Sequence, residues 1–226
     1  MDKLVLFDVD RTLVKFAESH KNSFSNVFKK VYGVDTTIDV VDHHGMTDQQ
    51  VIIEVLKKKG LNEKLVRLKM NDSMKVLTKA FEKNSKKEEI IVLNGVKKLL
   101  SELEKRKVSL GLVTGNIESV ARIKLKKAGL NGYFKFGGFG NDAIDRTDMI
   151  KIAIKTAEKK FDFRRDNNVF FVCDNLRELK SGKKAGVKVI SVATGLYSTK
   201  ELKSAGADFV LEDLSDVNNF LKIIES

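Results

Sequence analysis

The chain has 226 residues, a formal net charge of +11, one cysteine and no proline. At about 150 residues per domain, this length favours one core with a sizeable insertion. A single cysteine excludes an internal disulfide framework and a multi-cysteine zinc site. No apolar run reaches the roughly 18 residues of a membrane span, and the amino terminus lacks the layout of a secretory signal, so we expect a cytoplasmic protein without a membrane partner.

The positive charge is concentrated in lysine clusters near the ends of predicted helices, such as residues 57–59 and 126–127. Cations at helix carboxyl ends are favoured by the helix dipole. Because no aromatic stacking motif is interleaved with these lysines, we favour a solvated basic surface over a nucleic-acid groove. Attraction of small anions fits both interpretations.

Along the chain, short apolar runs alternate with amphipathic segments. The runs are LVLF (4–7), VSLGLV (108–113), NVFFV (168–172), VKVISVA (187–193) and DFVL (208–211), and runs of this kind are typical of strands buried on both faces. Helical spacing of apolar residues predicts helices within 96–103, 120–125, 149–157 and 213–224. From residue 91 onward the alternation predicts a three-layer, Rossmann-like α/β core with a central parallel sheet.

Residues 15–90 interrupt this alternation and carry a helical pattern instead. Thr47 and Gln50 resemble a capping box before VIIEVL (51–56), and the helical pattern continues through residues 62–84. We therefore predict a helical cap domain at 15–90, inserted between core pieces at 1–14 and 91–226. Phe16, Phe24 and Phe28 are assigned to the interior of this cap, and a substrate pocket is the alternative.

Polar residues follow three of the predicted strands at the point where each strand ends. They are Asp8 and Asp10 after the first run, Thr114, Gly115 and Asn116 after the second, and Asp174 and Asn175 after the third. Ligands of open parallel sheets bind outside the carboxyl ends of the strands. If these strands are neighbours, three carboxylates converge beside a small polar turn.

Clustered carboxylates raise one another's pKa unless a cation neutralises them. Mg²⁺ prefers oxygen ligands and suits sites that also hold phosphate, while the turn after the second strand could present a hydroxyl and N–H groups to an anion. The alternative is that each aspartate caps the helix or turn that follows it. Their joint position after three separate strands favours a shared site.

These segments resemble motifs of the haloacid dehalogenase-like hydrolase superfamily. LFDVDRTL (6–13) is similar to the first motif, LVTGN (112–116) to the second, and FVCDNLRELKSGKKAGVKVISVATG (171–195) to the fourth with its following strand. The predicted cap resembles, in size and place, that of phosphoglycolate phosphatase-like members. GMTDQQVI (45–52) is similar to a sequence that recurs there.

The resemblance implies an Mg²⁺-dependent phosphatase that works through an aspartyl phosphate. Asp8 would be the nucleophile and Asp10 the general acid and base. The ion would be held by the carboxylates of Asp8 and Asp174 and by the backbone carbonyl of Asp10. Dehalogenating members lack the second aspartate, so Asp10 favours phosphate chemistry. The implied phosphate-binding groups are Thr114 and the N–H groups of Gly115 and Asn116.

Two basic residues depart from the family pattern. Arg11 stands where the first motif usually has glycine, and it either contacts an anionic substrate or points to solvent. Arg146 is our preferred match to the lysine of the third motif, ahead of Lys151, and it would bind phosphate and balance the carboxylates. A local salt bridge at a helix start is the alternative for Arg146.

The fourth motif and the cap contain further candidates. Cys173 replaces a glycine and is expected to be a small buried hydrophobe. Glu178 replaces an aspartate and could, with Asn175, support the waters of the ion, or else orient Lys180. A neighbouring pair, His43 and His44, either packs within the cap, lies exposed on its surface, or contacts substrate.

The resemblance thus predicts a monomeric or homodimeric phosphatase of a small phosphorylated metabolite, phosphoglycolate-like or a sugar phosphate. A phosphomutase is the alternative enzyme, because an aspartyl phosphate could pass to a second substrate hydroxyl. A noncatalytic phosphate- or nucleic-acid-binding protein on the same scaffold is the alternative from another class. The joint presence of Asp8, Asp10, Thr114 and Asp174 favours an enzyme.

Overall fold

A computed structural model describes residues 3–161, 163–164 and 168–226, which contain a six-stranded parallel sheet. Its strands are β1 (Leu4–Phe7), β2 (Ser109–Thr114), β3 (Phe136–Phe139), β4 (Val169–Cys173), β5 (Lys188–Val192) and β6 (Phe209–Leu211). Their order across the sheet is β3-β2-β1-β4-β5-β6, and every neighbouring pair is parallel. The predicted α/β class with a central parallel sheet is confirmed.

The described residues also contain helices between and around these strands. They are α1 (Glu18–Tyr32), α2 (Asp48–Lys58), α3 (Glu63–Leu68), α4 (Met70–Asn84), α5 (Val96–Lys105), α6 (Glu118–Lys127), α7 (Arg146–Lys160), α8 (Leu176–Ala185), α9 (Thr199–Ser204) and α10 (Val217–Glu225). None of these helices is long and apolar enough to cross a membrane.

Helices cover both faces of the sheet, because successive side chains of a strand point to opposite sides. On β1, Leu4 and Leu6 belong to an apolar cluster that includes α7 and α8 residues. Val5 and Phe7 belong to a second cluster, with residues of α5, α6 and α10. The Phe7 ring lies 6.3 Å from the Phe220 ring of α10. The three layers of the prediction are therefore present.

Two elements differ from the sequence prediction. Strand β3 (FGGF) was not anticipated, because two glycines interrupt the apolar pattern that identified the other strands. Its backbone nevertheless pairs with β2, which places it at the edge of the sheet. The continuous helical pattern of residues 62–84 is divided into α3 and α4, which meet at Lys69.

The helical segment (residues 15–90) leaves and rejoins the sheet region at one place. Val14 pairs antiparallel with Val92, and the Lys15 N–H donates to the Ile91 carbonyl at 2.8 Å. The capping box predicted at Thr47 is present at the start of α2. The side-by-side exit and return are what an inserted cap requires, and the division at 15–90 stays a prediction.

The contact between β3 and α7 depends on a side chain of minimal size. A Cβ at Gly138 would lie 2.1 Å from the Met149 carbonyl oxygen, whereas a Cβ at Gly132 would meet no atom within 4 Å. We expect Gly138→Ala to lower the free energy of unfolding by roughly 1–3 kcal/mol through overpacking. Urea unfolding followed by circular dichroism would measure it, with Gly132→Ala as the matched control. Equal effects of the two variants would contradict this account.

Candidate active site

The sheet order brings together the three strand ends that the sequence singled out. Strand β1 lies between β2 and β4, so Asp8, Thr114 and Asp174 follow or end adjacent parallel strands. All three side chains are buried. The Asp8 N–H donates to the Val172 carbonyl at 3.0 Å, which extends the β1–β4 pairing to the start of the site.

Arg146, at the first position of α7, bridges two of the acidic side chains. Its Nη1 donates to Asp8 Oδ1 at 3.0 Å, and its Nη2 lies 3.1 Å from Glu178 Oε1. The three side chains are 5–6 % exposed where they meet. The alternative of a local surface salt bridge at this helix start is wrong, because the partners of Arg146 come from β1 and α8. Lys151 instead pairs with Asp148 on the surface.

Three carboxyl groups lie together at this edge of the sheet, and Arg146 pairs with two of them. Asp8, Asp174 and Glu178 each offer an oxygen within 4.8 Å of the other two. Burial raises the pKa of Asp8 to about 6 against the effect of Arg146. Burial and then repulsion from Asp8 raise the pKa of Asp174 to about 7. Burial likewise holds the pKa of Glu178 well above its usual range.

The same three side chains fit a hard divalent cation. Carboxylate oxygens are the ligands that Mg²⁺ prefers, and a cation would relieve the repulsion that raises these pKa values. Glu178 Oε2 is a buried atom without a hydrogen-bond partner among the described residues, although its other oxygen contacts Arg146. The donor set therefore suits a metal.

Asp10 lies in a different environment, although it is two residues from Asp8. Lys124 Nζ, from α6, donates to both carboxylate oxygens of Asp10 at 2.7 and 2.6 Å, and Asn116 Nδ2 donates to Oδ2 at 2.8 Å. Burial alone would raise the pKa of Asp10, but Lys124 and then His20 outweigh it and hold that pKa below its usual value. Two neighbouring carboxyls are thus shifted in opposite directions.

The turn after β2 contacts the helical segment. The backbone N–H and the side-chain amide of Asn116 both donate to Thr114 Oγ1, at 3.3 and 2.9 Å. Asp48, at the start of α2, donates its N–H to the Gly115 carbonyl at 2.8 Å and accepts the Ile117 N–H at 2.8 Å. The predicted phosphate-binding turn is therefore held both by hydrogen bonds within the turn and by hydrogen bonds to Asp48.

A cavity of about 90 Å³ opens over these groups and is partly walled by the helical segment. Its lining includes Arg11, Phe16, Phe24, His43 and His44. Arg11 has a φ of 63°, the left-handed region that favours the glycine usual at this position. Its guanidinium lies 5.7 Å from the Phe16 ring centroid, so Arg11 forms part of the cavity wall.

The histidine pair lies at the wall of the same cavity. The rings of His43 and His44 are 4.8 Å apart. Burial, followed by repulsion from His43 and Arg11, lowers the pKa of His44. Of the phenylalanines assigned to the cap interior, Phe24 and Phe28 are buried, whereas Phe16 is half-buried at the cavity.

The remaining candidates of the fourth motif have local structural partners. Asn175 Oδ1 accepts the Arg177 N–H at 2.9 Å and caps α8. Cys173 is a free, fully buried residue, as predicted. Glu178 contacts Arg146, whereas Lys180 is exposed.

Three residues that contact the site were not identified from the sequence. Lys124 is fully buried and contacts Asp10, His20 lies 3.2 Å from Lys124, and Asp48 lies 3.3 Å from His20. Lys124 was hidden in a lysine-rich helix end. An available signal was its register, since it falls between Ala121 and Leu125 on the apolar face of α6.

Comparisons with known proteins give the class of this chain. The sequence model of the haloacid dehalogenase-like hydrolase family matches residues 5–192. Pyrophosphatase PpaX from Oceanobacillus iheyensis is 24 % identical over 219 residues, covering 95 % of this chain and 94 % of the relative. Protein CbbY from Cereibacter sphaeroides is 25 % identical over 244 aligned residues, covering 96 % and 94 %. A crystal structure of a hydrolase from Pseudomonas syringae superposes with a TM-score of 0.74 at 19 % identity and full coverage of both chains.

The chain therefore belongs to the haloacid dehalogenase-like hydrolase family. The prediction of a phosphatase-type enzyme is confirmed by the family match together with these relatives.

The raised carboxyl pKa values predict the pH dependence of stability without metal. Groups with pKa values near 6 and 7 in the folded state bind protons more tightly than in the unfolded chain. Their contribution to the free energy of unfolding is therefore full below about pH 4 and is lost as pH rises through 6 to 7. We expect wild type in EDTA to be less stable at pH 8 than at pH 5. Asp174→Asn should reduce that difference by on the order of 2 kcal/mol.

Urea unfolding at the two pH values would measure this difference. The exposed Asp35→Asn provides a matched control, since it removes a carboxyl far from such crowding. The same pH dependence in wild type and Asp174→Asn would contradict the interpretation.

Proposed function

We propose that this protein is an Mg²⁺-dependent phosphatase that hydrolyses a small phosphorylated metabolite, phosphoglycolate-like or a sugar phosphate, through an aspartyl phosphate. The observation that carries the proposal is the difference in environment between the carboxyl groups of Asp8 and Asp10. Asp8 is paired with Arg146 among other acids, and Asp10 is paired with Lys124. Pairs of carboxyls whose pKa values are pushed apart are typical of sites that divide nucleophilic and acid–base roles.

Asp8 is the proposed nucleophile. One carboxylate oxygen forms a bond to phosphorus while the bond from phosphorus to the leaving oxygen breaks. Arg146 offers N–H donors that can bind phosphoryl oxygens, and Thr114 offers a hydroxyl beside them. Asp10 transfers its proton to the leaving oxygen. An arriving phosphate would favour protonation of Asp10, because a nearby negative charge raises the pKa of a carboxyl.

In the second half of the reaction, Asp10 acts as the base. It accepts a proton from a water molecule as the water oxygen bonds to phosphorus, and the bond from phosphorus to Asp8 breaks. The products are inorganic phosphate, the metabolite alcohol and the two starting side chains. General acid–base catalysis of this kind contributes typically about 10²- to 10⁴-fold.

Asp8 and Asp174 are the proposed carboxylate ligands of Mg²⁺, joined in the family pattern by the Asp10 backbone carbonyl. When bound, the ion would neutralise charge between an anionic nucleophile and an anionic phosphate. Glu178 lies in the same cluster and is a proposed support for the waters of the ion, as its unpartnered oxygen suggests.

The size of the cavity supports a compact substrate. A space of about 90 Å³ beneath the helical segment suits a small metabolite. Several surface lysines are also paired with acids, for example Lys183 with Asp208 and Lys105 with Glu102. These observations favour a metabolite over a macromolecular partner.

Replacement of the proposed nucleophile tests the reaction directly. We expect Asp8→Asn to lower kcat for an aryl phosphate by at least about 1,000-fold, because an amide oxygen cannot form the acyl phosphate. Phosphate release would be measured with Mg²⁺ and with EDTA, using the exposed Asp72→Asn as the matched control. Equal rates for wild type and Asp8→Asn under all divalent metals would rule out the proposed function. Transfer to an added sugar hydroxyl instead of water would identify a phosphomutase.

The two candidates for the third-motif cation can be separated in the same assay. We expect Arg146→Met to lower kcat/KM by about 100-fold or more, because buried phosphate-binding donors are lost and Asp8 loses its partner. Lys151→Met should change it less than about threefold, since Lys151 is 59 % exposed. Circular dichroism would check that both variants fold. A larger loss in Lys151→Met would reverse the assignment.

A further inference from the structure

Lys124 is a buried cation whose donors all point at the acid–base side of the site. It lies on α6 with no exposed side-chain surface. Besides both oxygens of Asp10, Nζ contacts Asn116 Oδ1 at 2.8 Å and His20 Nδ1 at 3.2 Å. An ammonium has three N–H donors. Asp10, Asn116 and His20 therefore supply one acceptor residue for each donor.

Burying the ammonium group of Lys124 costs free energy. The rings of Phe16 and Phe81 lie 5.5 and 5.8 Å from Nζ, so aromatic rings adjoin its polar partners and water does not reach it. Taking an ammonium out of water costs several kcal/mol in real proteins, and apolar residues of similar size often replace buried ion pairs without loss of stability. Stability alone therefore does not explain a lysine here.

The contacts hold the Asp10 carboxylate in one orientation. Lys124 contacts both of its oxygens, and Asn116 donates to one of them while also donating to Thr114. The plane of the carboxylate is consequently defined by two side chains, one from α6 and one from the turn after β2. Lys124 is absent from the lining of the cavity, whereas its partner Asp10 lines it, so Lys124 acts on substrate only through other side chains.

We propose that Lys124 is a positioning residue that fixes the Asp10 carboxylate for proton transfer. This inference rests on the proposed function, in which Asp10 deprotonates the water that hydrolyses the aspartyl phosphate. Lys124 itself exchanges no proton with substrate. Displacement of a reacting group by about 1 Å can cost on the order of 100-fold in rate.

Separate measurement of phosphoenzyme formation and decay distinguishes a positioning role of Lys124 from a general structural role. With p-nitrophenyl phosphate the leaving group departs without an acid, so formation of the phosphoenzyme depends little on Asp10. Its decay requires Asp10 as the base. In Lys124→Met we expect decay to slow by about 100-fold while formation stays within about threefold of wild type. Rapid acid quenching of the labelled phosphoenzyme would measure both rates, with the exposed Lys126→Met on the same helix as the matched control.

A double-mutant cycle shows whether Lys124 acts through Asp10. In an Asp10→Asn background, Lys124→Met should change the decay rate less than about threefold, because the group it positions is gone. The same slowing in both backgrounds, or equal slowing of formation and decay, would overturn the proposal.

A second variant distinguishes a folding defect from loss of the positioning role. If Lys124→Met alone does not fold, the pair Asp10→Asn with Lys124→Met removes both charges and should fold and match Asp10→Asn. Failure of that pair to fold would make Lys124 structural and overturn the proposal.

The positioning of Asp10 by Lys124 can also be tested if the protein is not a phosphatase. If wild type forms no phosphoenzyme, crystal structures of wild type and Lys124→Met decide the positioning role alone. A displaced Asp10 carboxylate supports it, and an unmoved one overturns it.

Discussion

The crowding of buried carboxyl groups at the carboxyl edge of the sheet is the constraint on which the rest of the site depends. Asp8, Asp174 and Glu178 lie close enough to share a ligand, and Arg146 is the guanidinium bonded among them. Like charges in a low-dielectric interior are costly. Repulsion among these carboxyl groups is therefore relieved by bound protons, by a divalent cation, or by an anionic ligand that brings a cation with it. This requirement makes the edge of the sheet reactive.

The neighbouring carboxyl avoids this crowding through a separate cation. Lys124 gives Asp10 its own partner, so residues two apart in sequence differ in charge balance. A strand and the following turn can present side chains in different directions, which allows one carboxyl to face the acidic cluster and the other to face α6. The proposed division between nucleophile and acid–base group follows from this local divergence.

The helical segment completes the site by closing over it. Asp48 bonds to both sides of the turn after β2, and Gln49 Nε2 donates to the Gly140 carbonyl at 2.6 Å. Phe16 and Phe24 add apolar walls above polar groups. Apolar walls strengthen the charge interactions beside them. A segment inserted after the first strand is well placed for this, because that strand ends at the site.

The sequence by itself determined the strands that end at Thr114 and just before Asp8 and Asp174, because buried parallel strands require continuous apolar runs and a polar residue marks where each run stops. The family resemblance indicated Arg146, and short-range spacing indicated the α2 capping box. The sequence did not reveal strand β3, whose glycines pack by close backbone approach. Only the tertiary structure decided that Lys124 contacts Asp10 and that Glu178 contacts Arg146. These partners are 114 and 32 residues apart, and their pairing depends on how helices dock on the sheet, which local periodicity does not encode.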